Sequence, residues 1–258
     1  MQYFDVLTHW QTHRKSSFFE DRTLGCVLTM GNLHRGHASL IERSLSENDC
    51  TVVSIFVNPT QFNNPIDYQN YPKTLEADLK LLREMGVELC VCFKEKALYP
   101  NHFAYRVRNL ASDEMEGRFR PGHFEGMLTI VLKLLLLIRP HRAYFGEKDY
   151  QQLQLIKGLT QAFFIDCEII ACPTIREASQ LPYSSRNHRL SPEERALADK
   201  FAAIFHGSQT CYEIQKALEA QGIRVEYIED HGDRRFIAVH VGNVRLIDNY
   251  QQGLIGGN

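Results

Sequence analysis

Apolar segments alternate with amphipathic segments along the first part of the chain. Residues 24–29, 51–57 and 87–93 are short apolar runs, which are typical of strands covered on both faces. Between them, over residues 36–46 and 74–85, apolar side chains recur at helical spacing. The pattern therefore predicts the order strand, helix, strand, helix, strand.

The alternation resumes after a polar and aromatic stretch over residues 94–124. An apolar helix over 127–138 is predicted to precede a strand over 142–145, a helix over 150–163 and a strand over 167–172. Strands that alternate with helices of this length favour a mostly parallel sheet with right-handed crossovers. The apolar run 127–138 is shorter than the roughly 18 residues of a membrane span, so we expect a buried helix and no membrane partner.

A second pattern follows a change of composition near residue 187. Ser191–Glu194 has the form of a helix capping box with proline at the first helical position. The predicted elements are two helices and then three strands, over 192–206, 208–221, 224–228, 236–241 and 244–247. The last two strands are predicted to join through Gly242-Asn243. We therefore expect an α/β protein, with a Rossmann-like parallel sheet in a domain over 1–175 and a smaller α+β lid domain over 176–258.

Composition and charge exclude several classes of protein. The 258 residues are 44% hydrophobic and 23% charged, which is ordinary for a globular protein and rules out disorder. The formal net charge of -2 provides no general basic surface, so we expect no nucleic acid partner. The N-terminus lacks the pattern of a signal peptide, and the seven cysteines are scattered, which favours reduced thiols and a cytoplasmic location.

Candidate chemistry lies where predicted strands end and helices begin. The turn Thr29–His37 holds two glycines and two histidines at a helix start, where backbone N–H groups favour an anion. Helix capping alone, or a metal held by His34 and His37, remain open alternatives there. Gly146–Gln152 opens another predicted helix, and Lys148 in it opposes the helix dipole unless an anion lies between them.

Two further polar clusters follow predicted strands. Tyr183–Asn187 combines hydroxyls with a guanidinium, which suits a polyphosphate, although a polar linker is the alternative. Asn58 and Gln61 offer neutral groups for hydroxyls and a carboxylate, although a simple proline turn is equally open. The chain lacks both the P-loop pattern and Gly-x-Gly-x-x-Gly, which removes the main support for a Walker ATPase or a dehydrogenase.

Seven motifs in the same order resemble the pantothenate synthetase (pantoate–β-alanine ligase) family of the nucleotidyltransferase superfamily with the His-x-Gly-His signature. The motifs cover nearly the whole chain: residues 29–37, 53–62, 71–74, 120–124, 145–152, 184–187 and 245–249. The resemblance implies a nucleotidyltransferase fold in the first domain. It also implies an AMP-forming ligase that joins pantoate to β-alanine through pantoyl adenylate and releases pyrophosphate.

The resemblance also implies a role for individual residues. His37 would be the proton donor, and His34, Lys148 and Arg186 would act with it on the phosphates. Gln61, Gln152 and Asn58 would hold pantoate and β-alanine. The ATP-binding residues would be Met30, Gly31, Asn32, Leu33, His34, Arg35, Gly36, His37, Gly146, Glu147, Lys148, Asp149, Ile175, Tyr183, Ser184, Ser185 and Arg186.

Cofactor and partner expectations follow from the same resemblance. Mg²⁺ would accompany ATP, held mostly by phosphate oxygens and water, with Asp78 as a weaker candidate ligand. The chain would form a homodimer. Its partners would otherwise be the small molecules ATP, pantoate and β-alanine.

Two departures from the family pattern keep other functions open. Where the family typically has Asp-Gly-Leu-Ala before Met/Leu-Ser-Ser-Arg-Asn, this chain has Ser179-Gln-Leu-Pro182 before Tyr183, and its C-terminal unit is short. Pro182 is expected to stiffen this loop. A different nucleotidyltransferase that acts on a phosphorylated acceptor is one alternative, and a non-catalytic nucleotide-binding protein is the other.

Overall fold

Six parallel strands form one sheet in the computed structural model, which describes residues 1–253. In sheet order these are β1 (Gln2–Phe4), β4 (Leu89–Val91), β3 (Cys50–Ile55), β2 (Leu24–Thr29), β5 (Arg142–Gly146) and β6 (Glu168–Cys172). All five pairings are parallel. The chain builds outward from β2 through β3 to β4 and then returns to add β5 on the other side of β2. Such a reversal of strand order is where open α/β sheets bind ligands.

Helices connect these strands. They are α1 (Leu7–His13), α2 (Arg35–Glu47), α3 (Pro65–Gln69), α4 (Leu75–Glu84), α5 (Glu95–Leu98), α6 (Glu116–Phe119), α7 (His123–Ile138) and α8 (Tyr150–Ala162). The predicted apolar helix is confirmed as α7, which is buried along most of its length and starts four residues earlier than expected. Among residues 1–253, no helix is long and apolar enough to cross a membrane.

The core of the sheet explains why β2 and β3 are recognisable from sequence. Val27, Val53 and Cys90 from three adjacent strands pack with Ile41 of α2 and Leu82 of α4, and all five are fully buried. Burying such side chains contributes about 1.5–3 kcal/mol each. The carboxyl ends of β2, β3 and β5 are thereby held on a rigid frame.

The N-terminal segment has no element assigned from the sequence. Strand β1 has only three residues and pairs with β4 at the edge of the sheet. Trp10 of α1 is fully buried, and its indole N–H donates to the Leu137 carbonyl over 3.0 Å. A three-residue edge strand carries too few positions for a hydrophobic period to be read.

Three antiparallel strands and two helices form the C-terminal part. They are α9 (Pro192–Phe205), α10 (Cys211–Ala220), β7 (Arg224–His231), β8 (Arg234–Val241) and β9 (Val244–Gln251), with sheet order β7-β8-β9. The predicted capping box is confirmed, since Ser191 and Glu194 each accept the other's backbone N–H. The predicted Gly242-Asn243 turn between β8 and β9 is also present. Phe201 and Phe205 of α9 pack against Ile237 and Val239 of β8 in a separate core.

The chain divides into two units. The first unit comprises Met1–Glu147 and Gln151–Cys172, and the second comprises Lys148–Tyr150 and the chain from Pro173 onward. The predicted boundary places Lys148–Tyr150 and residues 173–175 in the first domain. Lys148–Tyr150 belongs instead with the second unit, because its contacts are made to strands β8 and β9.

Candidate active site

A buried carboxylate fixes the backbone of the turn after β2 through hydrogen bonds. Gly31 and Asn32 both have left-handed backbone angles, with φ of 78° and 50°. Asp78 of α4 accepts the backbone N–H of Asn32 over 2.9 Å and that of Leu33 over 2.8 Å. A Cβ at Gly31 would lie 3.0 Å from the Asp78 carboxylate, and the positive φ also favours glycine there. The path of the predicted ATP-binding loop therefore depends on Asp78.

His34 and His37 start helix α2 together. Nδ1 of His34 accepts the Gly36 N–H over 3.1 Å, and Nδ1 of His37 accepts the His34 N–H over 3.4 Å. Their rings lie 4.0 Å apart between centroids. Because each Nδ1 acts as an acceptor, each ring carries its proton on Nε2. The two histidines thus cap the helix through Nδ1, and an Nε2–H group is the kind of donor that an anion at a helix start requires.

Asn58 is buried after β3 and bonds within the protein through both ends of its amide. It is 1% exposed, and its Nδ2 donates to Gln61 Oε1 and to the Gly126 carbonyl, each over 3.1 Å. Its Oδ1 accepts from the hydroxyls of Thr60 and Tyr99. Burial raises the pKa of Tyr99, so this hydroxyl stays a donor at neutral pH. This geometry favours a positioning role for Asn58 over the predicted direct contact with substrate.

Gln61 joins the turns that follow β2 and β3. Its Nε2 lies 3.0 Å from Sδ of Met30, so a residue predicted to bind pantoate touches one predicted to bind ATP. Helix α7 packs against the Pro59–Gln61 turn at Gly126, where a Cβ would overlap the Thr60 carbonyl. The Pro59–Gln61 turn can therefore approach α7 this closely only where the helix has a glycine.

His123 holds the Gln61 backbone from the other side. Arg120 approaches Nε2 of His123 to 2.9 Å and lies beside the Glu116 carboxylate. Because arginine only donates, Nε2 accepts and the Nδ1–H donates to the Gln61 carbonyl over 2.8 Å. The sequence shows residues 120–124 as a motif without a role. Its contact with Gln61, 62 residues away, supplies one.

The end of β5 lies beside β2 in the same sheet. Gly25 and Cys26 of β2 pair with Arg142 and Ala143 of β5, so Gly146 ends a strand next to the strand that leads into the Met30–His37 loop. Glu147 follows, half-buried, and Gln152 lies in the first turn of α8. The first unit thus brings together, at the carboxyl edge of its sheet, the predicted residues of the Met30–His37 loop, Gln61, Gly146 and Glu147.

Lys148 and Asp149 lie in the second unit. The Lys148 ammonium is 3.5 Å from an Asp149 oxygen, and its side chain is 20% exposed. Nδ2 of Asn249 donates to the Lys148 carbonyl over 2.8 Å. The segment is therefore anchored through its backbone, while the ammonium remains partly open to solvent.

The loop over residues 175–183, which precedes the Ser184-Ser185-Arg186 segment, is closed by backbone pairing. Arg176 pairs with Pro182 in a single antiparallel bridge, and the Tyr183 N–H donates to the Ile175 carbonyl over 3.1 Å. Gln180 at its tip has a left-handed φ of 70°. Pro182 lies in this bridge, and its stiffening of the loop stays a prediction.

The residues after the loop form a short helical turn. Ser184 caps the turn Ser185–Arg189, with its Oγ accepting the Arg186 N–H over 3.2 Å. Asn187 donates to the Pro182 carbonyl and to Glu177. Backbone N–H groups, hydroxyls and the Arg186 guanidinium thus lie within a few residues of one another, as polyphosphate binding requires.

The described residues do not build a protein cage for a metal ion. Among residues 1–253, no group of three or more His, Cys, Asp or Glu side chains is placed to hold one. Asp78, the candidate ligand, already accepts two backbone N–H groups and the Thr74 hydroxyl. The alternative of a metal held by His34 and His37 is disfavoured as well, since both Nδ1 atoms accept backbone N–H groups.

Comparison with known proteins gives a consistent family. A family model described as pantoate-beta-alanine ligase matches residues 2–251. The chain is 54% identical over 245 residues to the pantothenate synthetase of Coxiella burnetii, with 95% of each chain covered. It is 55% identical over 251 residues to that of Legionella pneumophila, with 97% of this chain and 99% of the other covered.

A solved structure is similarly close. The pantoate-beta-alanine ligase of Francisella tularensis, in a complex described as containing beta-gamma ATP and beta-alanine, is 43% identical. It superposes with a TM-score of 0.95 over 97% of both chains. The pantothenate synthetase of Thermus thermophilus superposes with a TM-score of 0.86 at 35% identity, over 97% of this chain and 99% of the other.

Proposed function

The chain belongs to the pantoate–β-alanine ligase family and catalyses the ATP-dependent joining of pantoate to β-alanine, and we propose that it does so through a pantoyl-adenylate intermediate. Family membership favours this activity over another nucleotidyltransferase or a non-catalytic nucleotide-binding protein. The Francisella tularensis relative was solved in a complex described as containing beta-gamma ATP and beta-alanine, which supports the same two substrates here.

The observation that carries the proposal is the contact between Gln61 and Met30. It joins an amide suited to a hydroxy acid to the loop whose His34 and His37 present Nε2–H donors at the start of α2. A carboxylate held by Gln61 then lies next to a triphosphate held by the loop. Proximity of this kind supplies a large part of the rate in a reaction between two bound substrates.

The first half-reaction forms one P–O bond and breaks another. A carboxylate oxygen of pantoate attacks the α-phosphorus of ATP, and the bond from that phosphorus to the bridging oxygen of pyrophosphate breaks. Pantoate is already a nucleophile and pyrophosphate a good leaving group, so neutralising the phosphate charge matters most. We assign the positive charge to Lys148 and Arg186, and hydrogen-bond donation to the Nε2–H groups of His34 and His37, with that of His37 directed to the departing oxygen.

The second half-reaction transfers the pantoyl group to an amine. The nitrogen of β-alanine, as the neutral amine, attacks the pantoyl carbonyl carbon, the C–O bond to AMP breaks, and the nitrogen loses a proton to water. Gln61 and Gln152 orient the pantoyl group, and Asn58 orients Gln61. The remaining contacts to ATP are assigned to the Met30–His37 loop, Gly146, Glu147, Asp149, Ile175 and Tyr183–Arg186.

Magnesium enters the proposal as a companion of ATP. When bound, it supplies positive charge to the phosphate oxygens. The described residues fit an ion held by phosphate and water better than one held by a protein cage, because Asp78 is engaged by backbone N–H groups.

A homodimer and a cytoplasmic location belong to the same proposal. The resemblance to the family supports the dimer, and only monomer in equilibrium sedimentation at micromolar concentration would overturn it. The cysteines support the location, because all seven are thiols and four are buried. Disulfides are rare in the cytosol.

Pyrophosphate release from ATP tests the proposed activity. With pantoate alone, we expect a single burst of pyrophosphate, and added β-alanine should convert it to steady formation of AMP and pantothenate. D-lactate, a hydroxy acid without the gem-dimethyl and primary hydroxyl groups, is the matched control for pantoate. Binding of ATP without pantoate-dependent pyrophosphate release would contradict the proposal.

A further inference from the structure

Strand β9 carries two buried polar residues, Asp248 and Asn249, which the reaction itself does not explain. Asn249 is 3% exposed, and its side-chain amide bonds in both directions. Its Nδ2 donates to the Lys148 carbonyl over 2.8 Å, and its Oδ1 accepts from Arg234 over 2.6 Å. The amide thus connects strand β8 to the backbone of Lys148.

The Lys148–Tyr150 segment has a second anchor on the same sheet. The Arg234 guanidinium lies over the Tyr150 ring, 4.0 Å from the ring centroid. The centroids of the Tyr150 and Phe236 rings are 6.0 Å apart. Arg234 therefore contacts both Asn249 and Tyr150. A cation over an aromatic ring contributes about 0.5–2 kcal/mol. Two anchors on either side of Asp149 define where this short segment lies in the second unit.

Asn249 is itself fixed by its neighbour. Asp248 has a fully buried side chain that accepts two bonds from Arg176, of 2.7 and 2.9 Å, and one contact from His206. The Asn249 N–H donates to the Asp248 carboxylate, and Arg176 also donates to the Asn249 carbonyl. The backbone of Asn249 thus has both its polar groups paired to one ion pair, which makes it a rigid support.

We propose that Asn249 is a positioning residue that places the Lys148 ammonium for adenylate formation. This inference rests on the proposed function, in which Lys148 neutralises charge on the phosphates. A displacement of about 1 Å in a reacting group can slow a reaction by about a hundredfold. Lysine is flexible, so its backbone position decides where the ammonium can reach.

The test separates the two half-reactions. Asn249→Asp keeps the size and the Arg234 contact, but it turns the donor to the Lys148 carbonyl into an acceptor. We expect pyrophosphate release with pantoate to slow by about tenfold to a hundredfold. Conversion of supplied pantoyl adenylate and β-alanine to pantothenate should change by less than about threefold, because Lys148 acts on the leaving pyrophosphate. Equal slowing of both steps, or no slowing, would overturn the inference.

Gln251→Glu is the matched control on the same strand. Gln251 is exposed and donates to Asp233, so the same amide-to-acid change there touches nothing near Lys148. We expect both half-reactions to stay at the wild-type rate. If Asn249→Asp does not fold, Arg234→Met removes both Arg234 contacts while keeping chain length. Arg234→Met should likewise slow pyrophosphate release more than the conversion of pantoyl adenylate to pantothenate. A folded Arg234→Met protein without this difference would equally overturn the inference.

The variant Lys148→Ala distinguishes failure of the inference from failure of the proposed function. If Lys148→Ala releases pyrophosphate at the wild-type rate, the assigned role of Lys148 is wrong. If that variant is slow while Asn249→Asp is normal, only the positioning role is wrong. The double variant should be no slower than Lys148→Ala alone, since Asn249 acts through Lys148, whereas additive losses would contradict this.

Discussion

The side-chain amide of Asn58 donates to the side-chain amide of Gln61 over 3.1 Å. With Nδ2 of Asn58 also bound to the Gly126 carbonyl, Oε1 of Gln61 faces Asn58, and Nε2 of Gln61 faces Met30. Asn58 therefore selects one of the two orientations that a glutamine amide can adopt. The orientation of the Gln61 amide thus depends on a residue that is itself almost completely buried.

Asn58→Ala should weaken pantoate use and stability together. Without Asn58, the Tyr99 hydroxyl and the Gly126 carbonyl lose a buried partner, which costs about 1–3 kcal/mol of unfolding free energy. The Gln61 amide also becomes free to rotate. We expect kcat/KM for pantoate to fall by about tenfold or more while KM for ATP changes little, since about 1.4 kcal/mol corresponds to tenfold. Steady-state kinetics and chemical denaturation measure the two effects.

Thr60→Ala is the control for the Asn58 variant. Thr60 donates to Oδ1 of Asn58 rather than to the Gln61 side chain. The variant should lose stability by less and keep kcat/KM for pantoate near the wild-type value. An Asn58→Ala protein with normal pantoate kinetics would remove the positioning role.

Asp78→Asn should damage the ATP loop and leave the magnesium requirement unchanged. The amide can accept only one of the two backbone N–H groups of Asn32 and Leu33. The other loses its partner, at about 1–3 kcal/mol of stability. We expect a higher KM for ATP at saturating magnesium. An unchanged fold with a raised magnesium midpoint would instead identify Asp78 as an ion ligand.

His34→Asn separates helix capping from phosphate binding. Asparagine is a preferred residue at a helix N-cap, so the melting temperature should stay within a few degrees of wild type. The variant lacks the Nε2–H group, and loss of one such donor typically slows the chemical step by about a hundredfold or more. His34→Gln, which restores a donor near Nε2, should recover part of the rate. Full activity in His34→Asn would leave this histidine with capping alone.

Gln180→Gly should stabilise the protein. Gln180 holds a left-handed φ of 70° at the position where the family pattern has glycine. Glycine removes the strain of the left-handed backbone but loses more conformational freedom on folding than glutamine does. The net gain in the free energy of unfolding is about 0.5–1 kcal/mol. The gain corresponds to roughly 1–4 °C in melting temperature. Gln180→Ala keeps the Cβ and the strain, so it should show no gain, and equal melting of the two variants would contradict this account.

The elements recognised from sequence are those whose pattern is local. Strands β2 and β3 are runs of mostly buried apolar residues, and the capping box is a motif contained in the four residues Ser191–Glu194. Strand β1 escapes prediction because three edge residues carry no period. The carboxyl edge of the sheet is predictable as the site because parallel strands all end there.

Residue roles that depend on distant partners are beyond the sequence. The positioning role of Asn58 depends on its bond to Gly126, 68 residues further along, which nothing near Asn58 in the sequence indicates. Lys148 is placed in the first domain because its partner Asn249 lies 101 residues away. His123 likewise becomes a support for Gln61 only once the fold brings them together.

Oxygen transfer from pantoate to AMP shows whether pantoyl adenylate is formed. Pantoate labelled with ¹⁸O in its carboxylate is incubated with ATP, magnesium, β-alanine and the protein, and the products are analysed by mass spectrometry. We expect one ¹⁸O atom in AMP, because the oxygen that attacked the α-phosphorus stays with it when the C–O bond breaks. AMP without label, or label in inorganic phosphate with ADP as the other product, would contradict an adenylate.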